Sequence, residues 1–373
     1  MVRHINYQGE AFGRTNASPL QTICKLSEDV YDIGPIRPPS EAGSLLIRVN
    51  RNCPWNKCEF CPVYKGRKFE KKSAEEIEQD IDKALIYYGS HAKSITRAFL
   101  QDADALLMKT AELVEVLRYL KGKFPSINRI TAYARTPTLE RKTLDELIQL
   151  REAGLSRIHT GLESGYAPLL QYINKGTTPD QQIDAGRKVK QAGISHSEYI
   201  MPGLGGKAMS SEHALETARV LNAINPDFIR IRTTSVQPST PLFDKMEKGE
   251  FELLSDVEVI EELRLLIENL DGISSTLVSD HMLNLLQELK GTFPDDKQKL
   301  LDIIDRFLAL PADEKRLFQV GVRMGIMRDI EHLNDPIMRA YTEDMVNRIN
   351  SICARRDGFT VDGFLHEIFY GRL

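Results

Sequence analysis

Along the chain, short apolar runs rich in β-branched residues alternate with longer segments whose apolar residues recur every three or four positions. From about Ser44 the strand-like runs are SLLIRVN (44–50), SITRAFL (94–100), RITAYAR (129–135), RIHTGLE (157–163), SEYIMPG (197–203) and FIRIRTT (228–234). The first intervening segment puts Ile77, Ile81, Leu85 and Tyr88 on one stripe, behind a Ser73/Glu76 capping box. Further helical segments are predicted at about 110–122, 143–153, 180–192, 211–223 and 255–270. Gly122, Gly154 and Gly193 stand where left-handed C-terminal caps belong.

Strand–helix units repeating in this way predict a parallel α/β sheet, because each parallel crossover needs a helix. An open doubly wound sheet and a full or partial barrel both satisfy the pattern. In either, the C-terminal strand ends and the loops after them form the active face. Beyond about Asp280 the strand signal stops. The segments HMLNLLQELKG, DDKQKLLDIIDRFLAL, ADEKRLFQVGVRMG and MRAYTEDMVNRINSICARR are read as helices, punctuated by Pro294 and Pro311. The predicted organisation is an irregular N-terminal extension (1–43) containing IGPIRPPSEAG, a sheet domain (44–279) and an α-helical C-terminal region (280–373).

Composition narrows the function classes. The 373 residues are 42% hydrophobic, ample for a sizeable core, and 49 Lys and Arg against 53 Asp and Glu leave a net charge of −4. That balance gives no general reason to expect nucleic acid or an anionic membrane as partner. No apolar run approaches the length of a membrane span, and the first residues lack the apolar stretch of a secretory signal, so a cytoplasmic location is expected. In a reducing compartment clustered cysteines bind metal or do redox chemistry more often than they form disulfides.

Three of the five cysteines fall in RNCPWNKCEFCPVY (51–64). Cys53, Cys58 and Cys61 have the spacing CxxxxCxxC, and tightly spaced thiolates suit zinc and iron–sulfur clusters. A closed zinc site needs four ligands, and the next candidates, His91 and Cys24, are remote in sequence. A cubane held by three thiolates instead keeps one iron open to another ligand. On the cysteines alone a cluster, a zinc site completed by a distant side chain, and a metal-free loop all stay open. Cys24 and Cys353 stand alone and are expected to be buried free thiols.

This loop resembles the cluster loop of the radical SAM superfamily, in which three cysteines after the first strand of a partial (β/α)6 TIM-type barrel bind a [4Fe–4S] cluster. Phe60 takes the place of the aromatic residue typical before the last cysteine. The spacing is one residue longer than the family's commonest CxxxCxxC. GLESGYAPLLQYINKGTT (161–178) is similar to the fourth-strand segment of the Elongator-subunit-3-like and coproporphyrinogen-dehydrogenase-like branches. The resemblance implies that Glu163 reaches the ribose of S-adenosylmethionine and that Lys175, twelve positions on, meets its methionine carboxylate. It also implies adenosine contacts from SEYIMPGLGG (197–206), through Met201, Gly203 and, if it faces inward, Glu198. Glu198 and Tyr199 must point to opposite sides of a strand. Where the family has a glycine-glycine-glutamate motif for the methionyl amine, this chain offers Gln101 and Asp102. Tyr133 and Arg135 share one side of the third strand and are candidate catalytic or substrate-lining residues, as is His281.

The chemistry implied is reductive cleavage of S-adenosylmethionine, driven by flavodoxin or ferredoxin, to methionine and a 5'-deoxyadenosyl radical that takes hydrogen from a small or medium-sized substrate. Two other function classes are a radical methyl- or sulfur-group transferase and a non-enzymatic zinc-binding scaffold. The sequence shows no second cysteine set for an auxiliary cluster, no cobalamin-binding module and no appended basic RNA-binding domain, which argues against a nucleic-acid substrate. The basic run KGRKFEKK (65–72) suits a solvated loop, a phosphate or an acidic reductase.

Overall fold

The computed structural model describes residues 30–355, 361 and 363–365; Cys24 lies outside them. Eight strands form one sheet in chain order. They are β1 (Leu45–Arg48), β2 (Arg97–Gln101), β3 (Arg129–Tyr133), β4 (Leu155–Glu163), β5 (Ser195–Ile200), β6 (Phe228–Ile231), β7 (Thr276–Val278) and β8 (Lys290–Thr292). β1 to β7 run parallel and β8 returns antiparallel to β7. The strands are nearly continuous apolar runs because both faces are covered, as Leu45 to Arg48, all buried, illustrate.

The long crossover helices are α1 (Ala74–Tyr88), α2 (Thr110–Lys123), α3 (Leu144–Ala153), α4 (Pro179–Gln191), α5 (Gly206–Ile224) and α6 (Asp256–Glu268), and each packs on the next. A sheet whose neighbours are always sequential, with every crossover of the same hand, curls around its inner face. Here the curl brings the loops after β1 and after β7 onto one cavity, while β1 and β8 remain edges. The fold is therefore a partial TIM-type barrel.

All six predicted strands are present. β7 and β8 were not anticipated, since three residues each are too few to show an alternation. HMLNLLQELKG is not a helix: residues 281–289 are turns. Their apolar spacing imitates a helical stripe, but Leu283, Leu285, Leu286 and Leu289 are buried from a loop. The Asn284 side chain takes over the backbone's partners there, accepting from Thr233 N–H at 2.9 Å and donating to the Ile231 carbonyl at 2.8 Å. Gly122 lies inside α2 and caps nothing, whereas Gly154 and Gly193 do adopt positive φ (122° and 72°).

The remaining C-terminal helices are α7 (Lys297–Ala309), α8 (Ala312–Arg323) and α9 (Pro336–Cys353). Phe307 and Phe318 share one apolar cluster with Ile200, Ile229 and Leu277 of the sheet and Leu263 of α6. A second cluster lies between β1–β4 and α1–α4. Cys353 is half-buried beside Val320 and Ile349, rather than fully buried as expected.

The described part of the N-terminal extension runs across the inner face of the sheet. Gln101, at the end of β2, accepts from Gly34 N–H at 2.9 Å and donates to the Ile36 carbonyl at 2.6 Å. Glu41 is fully buried, taking hydrogen bonds from Arg129 (3.1 Å), Thr131 (3.2 Å) and Ser44 (2.5 Å). Burial pushes the Glu41 carboxyl up, but His159, Ser44 and Arg129 outweigh it and hold it at about 2.

Glu41→Gln is expected to cost about 2–4 kcal/mol of stability, since it leaves half-buried Arg129 without its counter-charge and removes a fully buried hydrogen-bond acceptor. The sign with pH follows from a depressed carboxyl. The contribution is present above the ordinary value of 4.5 and is lost as pH falls toward about 2. Urea titrations at pH 7 and pH 3 check both, with the difference between wild type and variant smaller at pH 3.

Candidate active site

The loop after β1 takes its shape from a buried ion pair. Asp102, just past β2, is inaccessible to solvent, and one of its oxygens accepts from Arg48 Nε (2.8 Å), Arg48 Nη2 (2.6 Å) and the Asn52 N–H (2.8 Å). Beyond it Asn52 and Asn56 have φ of 69° and 48°, a left-handed conformation that asparagine tolerates better than most side chains. Asn56 donates its amide to the Tyr64 carbonyl at 2.6 Å, closing the turn that holds the longer first cysteine interval. The loop's outer edge is fastened to the segment after β4. Trp55 Nε1 donates to the Asn174 carbonyl at 2.8 Å, and its ring lies over Gly176, where a Cβ would come within 2.6 Å of the indole. Glu59 N–H donates to the Ile173 carbonyl at 2.9 Å.

A cavity of about 340 Å³ opens at the C-terminal strand ends, and Cys53, Cys58 and Cys61 all border it. The same cavity takes Phe60 from the loop, Tyr133 and Arg135 from the end of β3, Glu163 from β4, Lys175 beyond it, and His281 after β7. Burial raises Cys58 to about 11 and also moves Cys61 upward, so these thiols stay protonated until a metal displaces the protons. Glu163 ends β4 with φ of 59°, which folds its side chain back over Gly161; a Cβ there would lie 2.1 Å from its oxygen. Its carboxylate meets Lys175 Nζ at 2.7 Å. Burial pushes the Lys175 ammonium down, and the charge and hydrogen bond of Glu163 together with the nearby Cys58 more than reverse it.

Five residues expected to touch cofactor do not border this cavity. Gln101 spends its amide on the N-terminal extension, and Asp102 spends an oxygen on Arg48 and Asn52. Glu198 faces the helix layer, where it meets His196 Nε2 at 3.1 Å; the alternation of β5 gives the inner position to Tyr199. Met201 packs with Phe60, Leu169 and Leu204 in an apolar cluster beside the loop. Gly203 donates its N–H to Glu262 at 2.8 Å and borders a separate cavity with Lys207 and Thr234. Residues that the structure adds are Tyr64, Tyr199 and Arg232. FIRIRTT carried the signal for Arg232: Ile229 and Ile231 are buried on the helix side, so Arg230 and Arg232 alternate to the inner face.

The donor set fits a cluster better than a single ion. Among the described residues no three His, Cys, Asp or Glu side chains are grouped to hold one metal ion. The thiols instead border a space, as suits a cubane that brings its own sulfides and presents several irons, one of them without a protein thiolate.

Residues 47–218 match the family model "Radical SAM superfamily". That stretch is a radical SAM domain and the chain is an enzyme; members of the superfamily use a [4Fe–4S] cluster, S-adenosylmethionine and a reductant. Among curated relatives, an "uncharacterized methyltransferase" of Pyrococcus horikoshii is 24% identical over 60% of this chain and 47% of its own length. A tRNA uridine(34) acetyltransferase of Methanocaldococcus jannaschii is 24% identical over 50% of this chain and 36% of its own. The chain thus spans less than half the length of these relatives. Among solved structures, methylornithine synthase aligns at 19% identity over 72% of this chain and 82% of that one, with a TM-score of 0.43. No described helix is long and apolar enough to cross a membrane.

Phe60 is buried among Leu169, Ile173 and Leu242, which makes it the apolar anchor of the cysteine loop. Phe60→Ala is expected to lower stability by about 3–4 kcal/mol, read by chemical denaturation of the metal-free protein.

Proposed function

We propose that Cys53, Cys58 and Cys61 hold the [4Fe–4S] cluster and that Glu163 and Lys175 receive S-adenosylmethionine beside it. The rest of the cavity then accommodates a small or medium-sized substrate that gives up a hydrogen atom. What carries this reading is the convergence of three thiols and the Glu163–Lys175 pair on one cavity. When bound, the two cofactors supply a 5'-deoxyadenosyl radical.

The chain's own residues position and exclude. An ammonium at Lys175 pairs with a carboxylate, and a carboxylate at Glu163 accepts from two ribose hydroxyls, so a zwitterionic amino acid joined to a nucleoside satisfies both. Arg135 stands 5.2 Å from the Trp55 ring and donates to the Lys175 carbonyl at 3.3 Å, so it braces the loop against the segment after β4. Tyr133 lies between Phe99 and His159 with its phenol on the cavity, and burial raises its pKa, keeping it a neutral donor. In this reading the sheet domain, with the turn that carries His281, is catalytic, and α7 to α9 support it. The electron donor is an acidic flavodoxin or ferredoxin approaching exposed Lys57, Arg67, Lys68 and Lys71, in a cytoplasmic setting. Radical methyl transfer is the second reading, favoured by the name of the Pyrococcus relative; a methylated product would mark it.

After anaerobic reconstitution the wild type is expected to show broad brown absorption and dithionite-dependent 5'-deoxyadenosine. A variant carrying Cys53→Ala, Cys58→Ala and Cys61→Ala together loses both, and persistent cleavage in it would refute the assignment. Lys175→Ala should keep the absorption while weakening S-adenosylmethionine binding about tenfold or more, measured by equilibrium dialysis.

A further inference from the structure

The cavity's cationic side chains are not equally provided for. Lys175 has Glu163 at 2.7 Å, and Arg135 has the Trp55 ring and the Lys175 carbonyl. On β6, Arg230 meets Asp280 at 2.9 Å and Ser197 at 3.2 Å. Arg232, two residues on and also facing inward, borders the cavity with no hydrogen bond or ion pair to its guanidinium among the described residues, and its Nε is closed to solvent without an acceptor. A guanidinium cannot shed its charge, so a half-buried one without a counter-ion is poised to take an anion.

A second donor stands beside it. His281 is half-buried, and its desolvation together with the Arg232 charge holds its pKa at about 4, so the ring is neutral at neutral pH. Its Nδ1 accepts from the Leu283 N–H at 3.2 Å, which leaves the proton on Nε2. The fork of Arg232 and the Nε2–H of His281 therefore both offer donors to the cavity that Tyr133 and Cys61 also border. The only carboxylate bordering the cavity among the described residues, Glu163, is already paired with Lys175.

We infer that Arg232, with His281 beside it, anchors an oxyanion on the substrate, a carboxylate or a phosphate ester. This rests on the proposed function, and it assigns the substrate's charged end to the β6 and β7 side of the cavity. The carboxylate of S-adenosylmethionine is matched by Lys175 on the β4 side. A planar carboxylate or a phosphate can take two parallel hydrogen bonds from an arginine fork.

The test uses the reconstituted protein saturated with S-adenosylmethionine, titrated calorimetrically with propionate, methyl phosphate and the uncharged propionamide. The wild type is expected to bind one of the two anions and not propionamide, and whichever anion binds identifies the headgroup. Arg232→Gln should weaken that binding about tenfold or more, Arg232→Lys by less, and His281→Phe about threefold. Equal binding of anion and propionamide, or no anion binding by the wild type, overturns the inference. So does an Arg232→Gln variant that binds the anion normally. Loss of brown absorption or of S-adenosylmethionine affinity in Arg232→Gln also overturns it, because the charge would then belong to the cluster or the cofactor. A wild type without absorption or 5'-deoxyadenosine formation sinks the proposed function instead, so the two failures are distinguishable.

Discussion

The site depends on one buried carboxylate. Asp102 joins the end of β2 to Arg48 at the end of β1 and to the first backbone amide of the turn that follows. Removing one member of such a pair leaves a charge stranded in the interior, an effect of about 3–5 kcal/mol. Here the effect has an address, because the peptide it holds lies immediately before Cys53. The three thiols are carried on irregular chain, and irregular chain keeps a shape only where something rigid pins it. Asp102 pins the start, Asn56 the middle, and Trp55 with Glu59 the far side.

Several charges on the inner surface neutralise one another. Glu41 with Arg129, Arg230 with Asp280 and Glu163 with Lys175 each satisfy themselves. The Glu163–Lys175 pair is a special case, since an ammonium facing a carboxylate mirrors the two ends of an amino acid. In the proposed arrangement Lys175 exchanges Glu163 for the ligand's carboxylate while Glu163 turns to the ribose hydroxyls, so neither side chain is left without a partner. Arg232 has no partner of any kind for its guanidinium among the described residues, and on that ground the inferred substrate oxyanion is placed there.

Much of this was legible in the sequence because it is local. Period-two alternation in FIRIRTT and capping boxes such as Ser73/Glu76 are written within a few residues of one another, and the structure reproduces the strand and the helix start they predict. What failed was non-local. Nothing near Gln101 or Asp102 says that the Gln101 oxygen is taken by Gly34, or one Asp102 oxygen by Arg48, 67 and 54 positions away. The inward facing of Tyr199 over Glu198 was a choice between two strand faces that alternation alone leaves undecided. The segment after Asp280 misled because leucines buried from a loop have the same spacing as leucines on a helix, and only the partners of Asn284 reveal the difference.

The burial of Glu41 also bears on the order in which the chain assembles. During synthesis this residue emerges nearly ninety positions ahead of Arg129, and still further ahead of His159. Until those arrive, an acid destined for the interior has only water for company, and the extension that carries it gains nothing by settling. The N-terminal stretch must therefore wait, solvated, while the third and fourth strands are made, and docks late although it is born early.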